Sequence, residues 1–408
     1  MSGASCRRVV SASPSGRRSS WRATGRRRIG RRSRSSTERC APGTQKAWSK
    51  PKRCRHDRAA CLGSERGSRA APGRGGLQRA RASVQTCRGA YVQDATAMID
   101  QRFFEPNLAI YYRDYLLAFG AFAAAFAWGT QADWPWVLIP WLLASIFLAR
   151  AGIFGHELSH RPQDPRMRRF YWLWHLTVSA IIMVPIVRFI GPHRTHHATG
   201  TFRTKDDPQY LLLRSNSALA VFVLVALPFV TPLYTVFQIV VASLGGVALE
   251  ERIDRFTRRR FNFSVSMPIP QRHHAEVTWL ARYSLVLLGG FFAVFPQVLP
   301  FFYAVLVGAW TIVVLRIPLE HELEAYAERS VQSDQMRDSF TVESPLAVII
   351  QPIGFRYHTA HHMYPGVPYH NLPALHAHLK ATVPDYNRSI VSYWDAIRGP
   401  KAARDDAA

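Results

Sequence analysis

The chain has 408 residues, 48% of them hydrophobic, and a formal charge of +25, enough for one large domain or two smaller ones. Almost all of that charge lies in residues 1–90, where 24 Lys and Arg face 3 Asp and Glu, and so do all five cysteines (Cys6, Cys40, Cys54, Cys61, Cys87). The remaining 318 residues carry only +4, so they hold no disulfide or cysteine-ligated cluster and show no nucleic-acid footprint.

Residues 1–97 form an Arg-, Ser- and Gly-rich leader with no apolar run for a core and no C-x-x-C pair. Such a segment is expected to be disordered. Three readings compete for it: an upstream frame translated in error, with Met98 as the true start; a transit peptide, which is typically Arg- and Ser-rich and poor in acids; or a basic tail for anionic partners.

From residue 111 the chain turns apolar. Stretches 116–128 and 134–151 flank a polar break at Gln131 and Asp133 and read as a helical hairpin, since a span needs about 20 apolar residues. Trp134, Trp136 and Trp141 suit an interfacial belt, and Arg161, Arg166, Arg168 and Arg169 favour the cytoplasmic side. Stretch 170–190 contains His175, Pro185 and Arg188 and reads as an interfacial or re-entrant helix. Stretches 218–248 and 283–317 each hold two prolines near their middle (Pro228 and Pro232, then Pro296 and Pro300), with a loop rich in arginine between them. Hairpins in both stretches give six spans; an interfacial 218–248 gives four. A short apolar patch, 346–353, and a Pro-rich turn follow, and residues 386–408 form a polar tail with an amphipathic helix expected around 390–397. The fold class is therefore an all-α integral membrane protein, with four to six transmembrane helices as hairpins and a histidine-rich di-metal cap on the cytoplasmic side.

Nine of the sixteen histidines carry the functional signal: His156 and His160; His193, His196 and His197; His321; and His358, His361 and His362. Each cluster follows or adjoins an apolar stretch. Ionisable residues at a membrane are costly and mark function by default, and imidazole is the commonest neutral metal ligand. Residues four apart share a helix face, whereas adjacent residues point about 100° apart. An H-x-x-H-H turn can thus serve one metal with some ligands and a second metal with the others. Nine ligands exceed the three or four of one zinc and suit two metals. Glu157, Glu320, Asp206 and Asp207 are the candidate acceptors for the outer ring nitrogens, which ordered ligand imidazoles need. Gly191-Pro192 reads as a helix start. His175, His273, His274, His370, His376 and His378 read as structural. One rival remains: His156-Glu157-Leu158-Ser159-His160 also spells H-E-x-x-H, the zinc-protease signature, but that reading leaves the other two clusters unexplained.

Three segments, GHELSH (155–160), GPHRTHH (191–197) and RYHTAHHMYPGVPYHNLPALH (356–376), together resemble the histidine boxes of the membrane fatty-acid desaturase superfamily, which also contains hydroxylases, alkane monooxygenases and carotenoid-modifying enzymes. RIPLEH (316–321) resembles the extra histidine found between the second and third boxes of several members. The resemblance covers about residues 100–385, placing a desaturase-like domain at 98–385. It implies a non-haem di-iron site held by the nine histidines, O2 as oxidant and a lipid or other long-chain apolar substrate. It also implies an external electron donor of ferredoxin or cytochrome b5 type, because the chain has no H-P-G-G segment of a fused cytochrome b5. The leading expectation is a fatty acid desaturase, with a hydroxylase or monooxygenase of the same superfamily as the alternative.

Overall fold

The computed structural model describes residues 99–398, apart from 199, 203, 205–206, 209–216, 263, 265, 322–334 and 337. The expected disorder of 1–97, the end of the tail (399–408) and Asp206 lie outside the described residues.

Helix α1 spans Leu108–Gly129. Asn107 caps it by accepting from the Ala109 and Ile110 amides at 3.1 and 3.4 Å, which satisfies donors that a helix start leaves open. Tyr111, Tyr115, Ala118, Phe122 and Ala125 recur at helical spacing and are buried. They form the stripe that packs on α2, Leu138–His160. Gly155 in α2 allows a close approach, since a Cβ there would fall 2.6 Å from the Trp174 ring. Trp174 Nε1 in turn donates to the Ala151 carbonyl at 3.0 Å. This contact fixes the turn of α2 that carries His156.

The next segment comprises α3, Pro165–Ile182, and α4, Val187–His197, bent by 95° at their junction. A bend of this size fits either a broken span or the re-entrant shape expected for 170–190. His175 staples it: its Nδ1 donates to the Tyr171 carbonyl at 2.9 Å and its Nε2 accepts from the Ile186 amide at 3.3 Å. The helix with the second histidine cluster does not start at Gly191-Pro192 but at Val187, with Pro192 inside it. Burial of Val187 and the Arg188–Glu250 ion pair (2.5 Å) hold the earlier turn in place.

Helix α5, Ser217–Phe261, runs through both Pro228 and Pro232. The hairpin expected within 218–248, which the six-span arrangement needs, is therefore not formed. A proline removes only one ladder bond, and hydroxyls of Thr231, Thr235 and Tyr303 reach carbonyls along this stretch, as tolerated prolines in membrane helices require. The break comes at Gly246 instead (φ 66°, ψ −173°), a conformation essentially reserved for glycine. Arg252, Arg255, Arg258, Arg259 and Arg260 thus sit on the helical end of α5 and not in a loop. Helix α6 is His274–Val294 and α7 is Leu299–Glu320, with a turn at Pro296–Val298 between them. α6 packs on α5, and α7 lies against both α2 and α5.

Among the described residues, four helical segments are long and apolar enough to cross a membrane: Leu138–His160, Leu224–Phe261, Gln271–Val294 and Pro296–Glu320; counting the bent α3–α4 pair as one span gives five. α1 is long enough, but Arg113 and Asp114 interrupt it.

The C-terminal part is a small cap of short elements: β1 Thr341–Val342, α8 Ala347–Ile350, α9 His358–Met363, α10 Leu372–Thr382, β2 Ile390–Val391 and α11 Tyr393–Arg398. β1 and β2 pair in parallel, Thr341 opposite Ile390 and Val342 opposite Val391. Tyr386 is fully buried, and β2 and α11 keep the described residues from Tyr386 to Arg398 on the body.

Candidate metal centre

The last turns of α2, α4 and α7 and the whole of α9 bring the nine histidines together. They form two groups, each suited to hold a metal ion: His156, His160, His193, His197 and His361, and His196, His321, His358 and His362. Within each group one potential ligand nitrogen from every ring lies within 4.8 Å of the others.

The contacts are unusual for imidazoles without a cation. In the first group Nε2 atoms approach in sequence, His156 to His160 at 3.3 Å, His160 to His193 at 2.9 Å and His193 to His197 at 3.1 Å. In the second, His321 meets His358 at 2.9 Å and His358 meets His362 at 3.1 Å, again through Nε2. A neutral imidazole has one N–H and one lone pair, so convergent Nε2 atoms cannot all satisfy one another. Two nitrogens bound to one ion at about 2.1 Å, about 90–110° apart, would lie about 3.0–3.4 Å from each other. The observed spacings fall close to that range. His361 Nε2 is buried and has no hydrogen-bond partner among the described residues, and a cation would supply one. Burial first, and neighbouring charge second, holds His358, His361 and His362 well below the ordinary imidazole range. They are neutral at pH 7, the form that binds metal.

The acidic residues divide. Asp207, fully buried, lies 3.0 Å from His196 Nδ1, the geometry that orients a ligand imidazole. Glu157 does not hydrogen-bond a ring: its nearest approach to His156 Nδ1 is 4.0 Å. It accepts instead from the Tyr111 hydroxyl at 2.7 Å and the Tyr369 amide at 3.1 Å, because it is one residue, or about 100° of helix, away from the ligand face. Glu320 pairs with Arg316 at 3.2 Å and stays 3.8 Å from His358 Nε2.

Three contributors escaped the sequence reading. Gln335 accepts from His362 Nδ1 and donates to the His197 carbonyl at 2.9 Å, bridging the two groups. Phe355 lies between them, its ring 4.4 Å from His156 and 5.6 Å from His358, centroid to centroid. Phe202 is fully buried against His362 at 4.8 Å. No local pattern marks any of these; only the histidine spacing is periodic.

The fatty acid desaturase family model matches residues 132–394. The chain belongs to the fatty acid desaturase family. That family consists of membrane oxidoreductases, and the matched residues include all nine histidines. The chain is also 25% identical over 293 residues to a protein named ceramide hydroxylase from Caulobacter vibrioides, covering 67% of this chain and 82% of that protein. Family membership sets the zinc-protease reading aside, and so does Glu157, whose carboxylate serves Tyr111 and Tyr369.

Proposed function

We propose that this desaturase-family chain is an O2-dependent, non-haem di-iron enzyme that hydroxylates an unactivated C–H bond of a membrane lipid. The observation that carries the reading is the division of nine convergent imidazoles into groups of five and four. His156, His160, His193, His197 and His361 would hold one iron, and His196, His321, His358 and His362 the other. Imidazole alone also suits zinc or copper, so the choice of iron rests on the family.

Iron bound there would supply O2 activation, chemistry that amino-acid side chains lack. The protein's own contribution is position and dryness. Asp207 and Gln335 orient His196 and His362. Phe189, Phe202 and Phe355 wall the histidines with apolar rings, which keeps water from competing for the oxidant. The reaction consumes one O2, two electrons and two protons. Hydroxylation returns an alcohol and one water; desaturation returns an alkene and two waters. Both electrons are assigned to a separate ferredoxin- or cytochrome b5-type protein.

Hydroxylation is favoured because the curated relative is a ceramide hydroxylase. Desaturation, the leading expectation from sequence, stands as the second reading, carried by the family's description. The α1–α2 and α6–α7 pairs are assigned as membrane hairpins with the histidines on the cytoplasmic side, in keeping with the arginines that follow α2 and those at the end of α5. The test is expression from Met98 in a host with a compatible donor, followed by lipid mass spectrometry. A gain of one oxygen supports hydroxylation, a loss of two hydrogens supports desaturation, and unchanged lipids with iron bound and donor present overturn both. A reporter fused after Arg272 and exposed outside the cell would overturn the sidedness.

A further inference from the structure

The cap carries a small apolar core of its own. Leu319 at the end of α7, Phe340 just before β1 and Ala396 of α11 are buried together, and Ile350, Val391 and Tyr393 pack around them. α8, β2 and α11 therefore sit on the last turn of α7 as one body. The Tyr393 hydroxyl of α11 also donates to Gln351 Oε1, just after α8, at 3.4 Å.

The outside of this body is apolar as well. Leu346, Val348 and Ile349 are exposed by 58%, 52% and 48%, and Trp394 of α11 by 57%. The run from Ser344 to Ile350 contains no charged residue. Three exposed aliphatic side chains in four consecutive positions are unfavourable against water, and a grouped apolar surface marks a contact with something apolar.

Two observations indicate what that is. On α7, Leu315 lies one turn before Leu319 on the same helix face. It belongs to a candidate membrane span and is exposed, so the outward surface of that span runs up to the point where the cap begins. On α2, also a candidate span, Arg150 Nη1 reaches the Val348 carbonyl at 3.5 Å. Arg150 precedes His156 by six residues, about 9 Å along the helix axis toward the middle of the span. α8 thus meets α2 on the bilayer side of the first histidine group. A cation within a span is costly and pairs with a backbone carbonyl where one is within reach, and α8 supplies one. A short uncharged element with a tryptophan nearby, held against two spans at that depth, fits the boundary between lipid headgroups and acyl chains. A second copy of the chain docking there would have to displace the lipid that α2 and α7 already face.

We propose that Leu346, Val348 and Ile349, with Trp394 of α11, form an interfacial anchor that immerses this edge of the cap in one leaflet of the bilayer. Its partner is the phospholipid membrane itself, at the headgroup–acyl boundary. α8 ends eight residues before His358, so the anchor sets the level of the third histidine box relative to the lipid. The assignment needs α2 and α7 to cross the membrane, and it holds whichever reaction the metal centre performs.

The experiment uses the full chain in phosphatidylcholine nanodiscs, with the photoreactive residue p-benzoylphenylalanine replacing Val348, Trp394 or Ala377 in turn. Ala377 is the control: it is exposed on α10, three residues before the exposed Lys380. After irradiation, adducts are identified by mass spectrometry. Phospholipid adducts are expected at Val348 and Trp394 and are expected to be lost at Ala377. Adducts that join two chains would make the rim a subunit interface and overturn the proposal. Absence of lipid adducts at Val348 and Trp394, or equal adducts at all three positions, would overturn it as well. Should the photoreactive variants not fold, Trp394→Phe replaces them. The tryptophan emission that this variant removes should be quenched in the wild-type chain by phosphatidylcholine brominated near the headgroup, and unquenched emission would contradict the anchor. Lipid adducts at the rim of a chain that yields no oxidised lipid would count against the proposed reaction and leave the anchor standing.

Discussion

His196 and His197 are adjacent in the chain, yet their imidazoles face different groups, with ring planes crossing at 78° and centroids 5.4 Å apart. His361 and His362 repeat the relationship at 86° and 5.9 Å. In each H-x-x-H-H box the two histidines four apart stay together, and the one between them crosses to the other group. The helical rotation of about 100° per residue produces this division without any special backbone geometry.

The division makes metal loss asymmetric. His196→Ala reduces a group of four to three, whereas His197→Ala reduces a group of five to four. Bound iron should fall to about one per chain in His196→Ala and stay nearer two in His197→Ala, as measured by elemental analysis. Activity should be lost in His196→Ala. Equal iron loss in the two variants would contradict the grouping.

Asp207 should matter through His196. Asp207→Asn keeps the size but weakens the acceptor for Nδ1, and changes of this kind typically cost about 10–100-fold in metal affinity. Competition with a chelator would show it. An unchanged affinity would mean that the 3.0 Å contact does not orient the ring.

Glu157 tests anchoring against catalysis. Its Oε2 accepts from both the Tyr111 hydroxyl and the Tyr369 amide, joining α1 and α2 to the chain just after the third box. In Glu157→Gln the amide oxygen can still accept both, but without the charge, so the expected loss is about 1 kcal/mol per bond, read from thermal unfolding, with iron retained. Loss of turnover with stability and iron intact would instead give Glu157 a role as a base.

The histidine boxes were legible because helical periodicity and ligand chemistry point the same way at those positions. The acidic neighbours were not: Glu157 and Glu320 adjoin clustered histidines in sequence, and adjacency on a helix means a different direction. Gln335 comes from a polar stretch without periodicity, and tertiary structure alone brings it to His362. In α5 the prolines suggested a turn that hydroxyls and neighbouring helices make unnecessary, while Gly246, one of two consecutive glycines, sets the real break.

That break is testable directly. At φ 66° and ψ −173° a non-glycine residue costs of order 1–3 kcal/mol. A Cβ at Gly246 would also sit 3.2 Å from Thr278 Oγ1, so α6 would have to yield. Gly246→Ala should lower the unfolding midpoint accordingly, and a midpoint equal to wild type would show that α5 can straighten without loss.

The kinked end of α5 carries a buried ion pair. Arg188 and Glu250 meet in a bidentate pair, Nη1 to Oε2 at 2.8 Å and Nη2 to Oε1 at 2.5 Å, with side chains only 9% and 5% exposed. The pair ties α4 to α5 five residues before His193. Removing one partner strands a buried charge, which costs about 3–5 kcal/mol, whereas replacing both by apolar residues is often neutral. Glu250→Ala should therefore destabilise the chain by about that amount and loosen iron at His193 and His197. The double replacement Arg188→Met with Glu250→Leu should recover most of the stability. Denaturant unfolding with parallel iron analysis separates the two effects: if Glu250→Ala unfolds like wild type, the pair contributes nothing net and α4 is held by apolar packing alone.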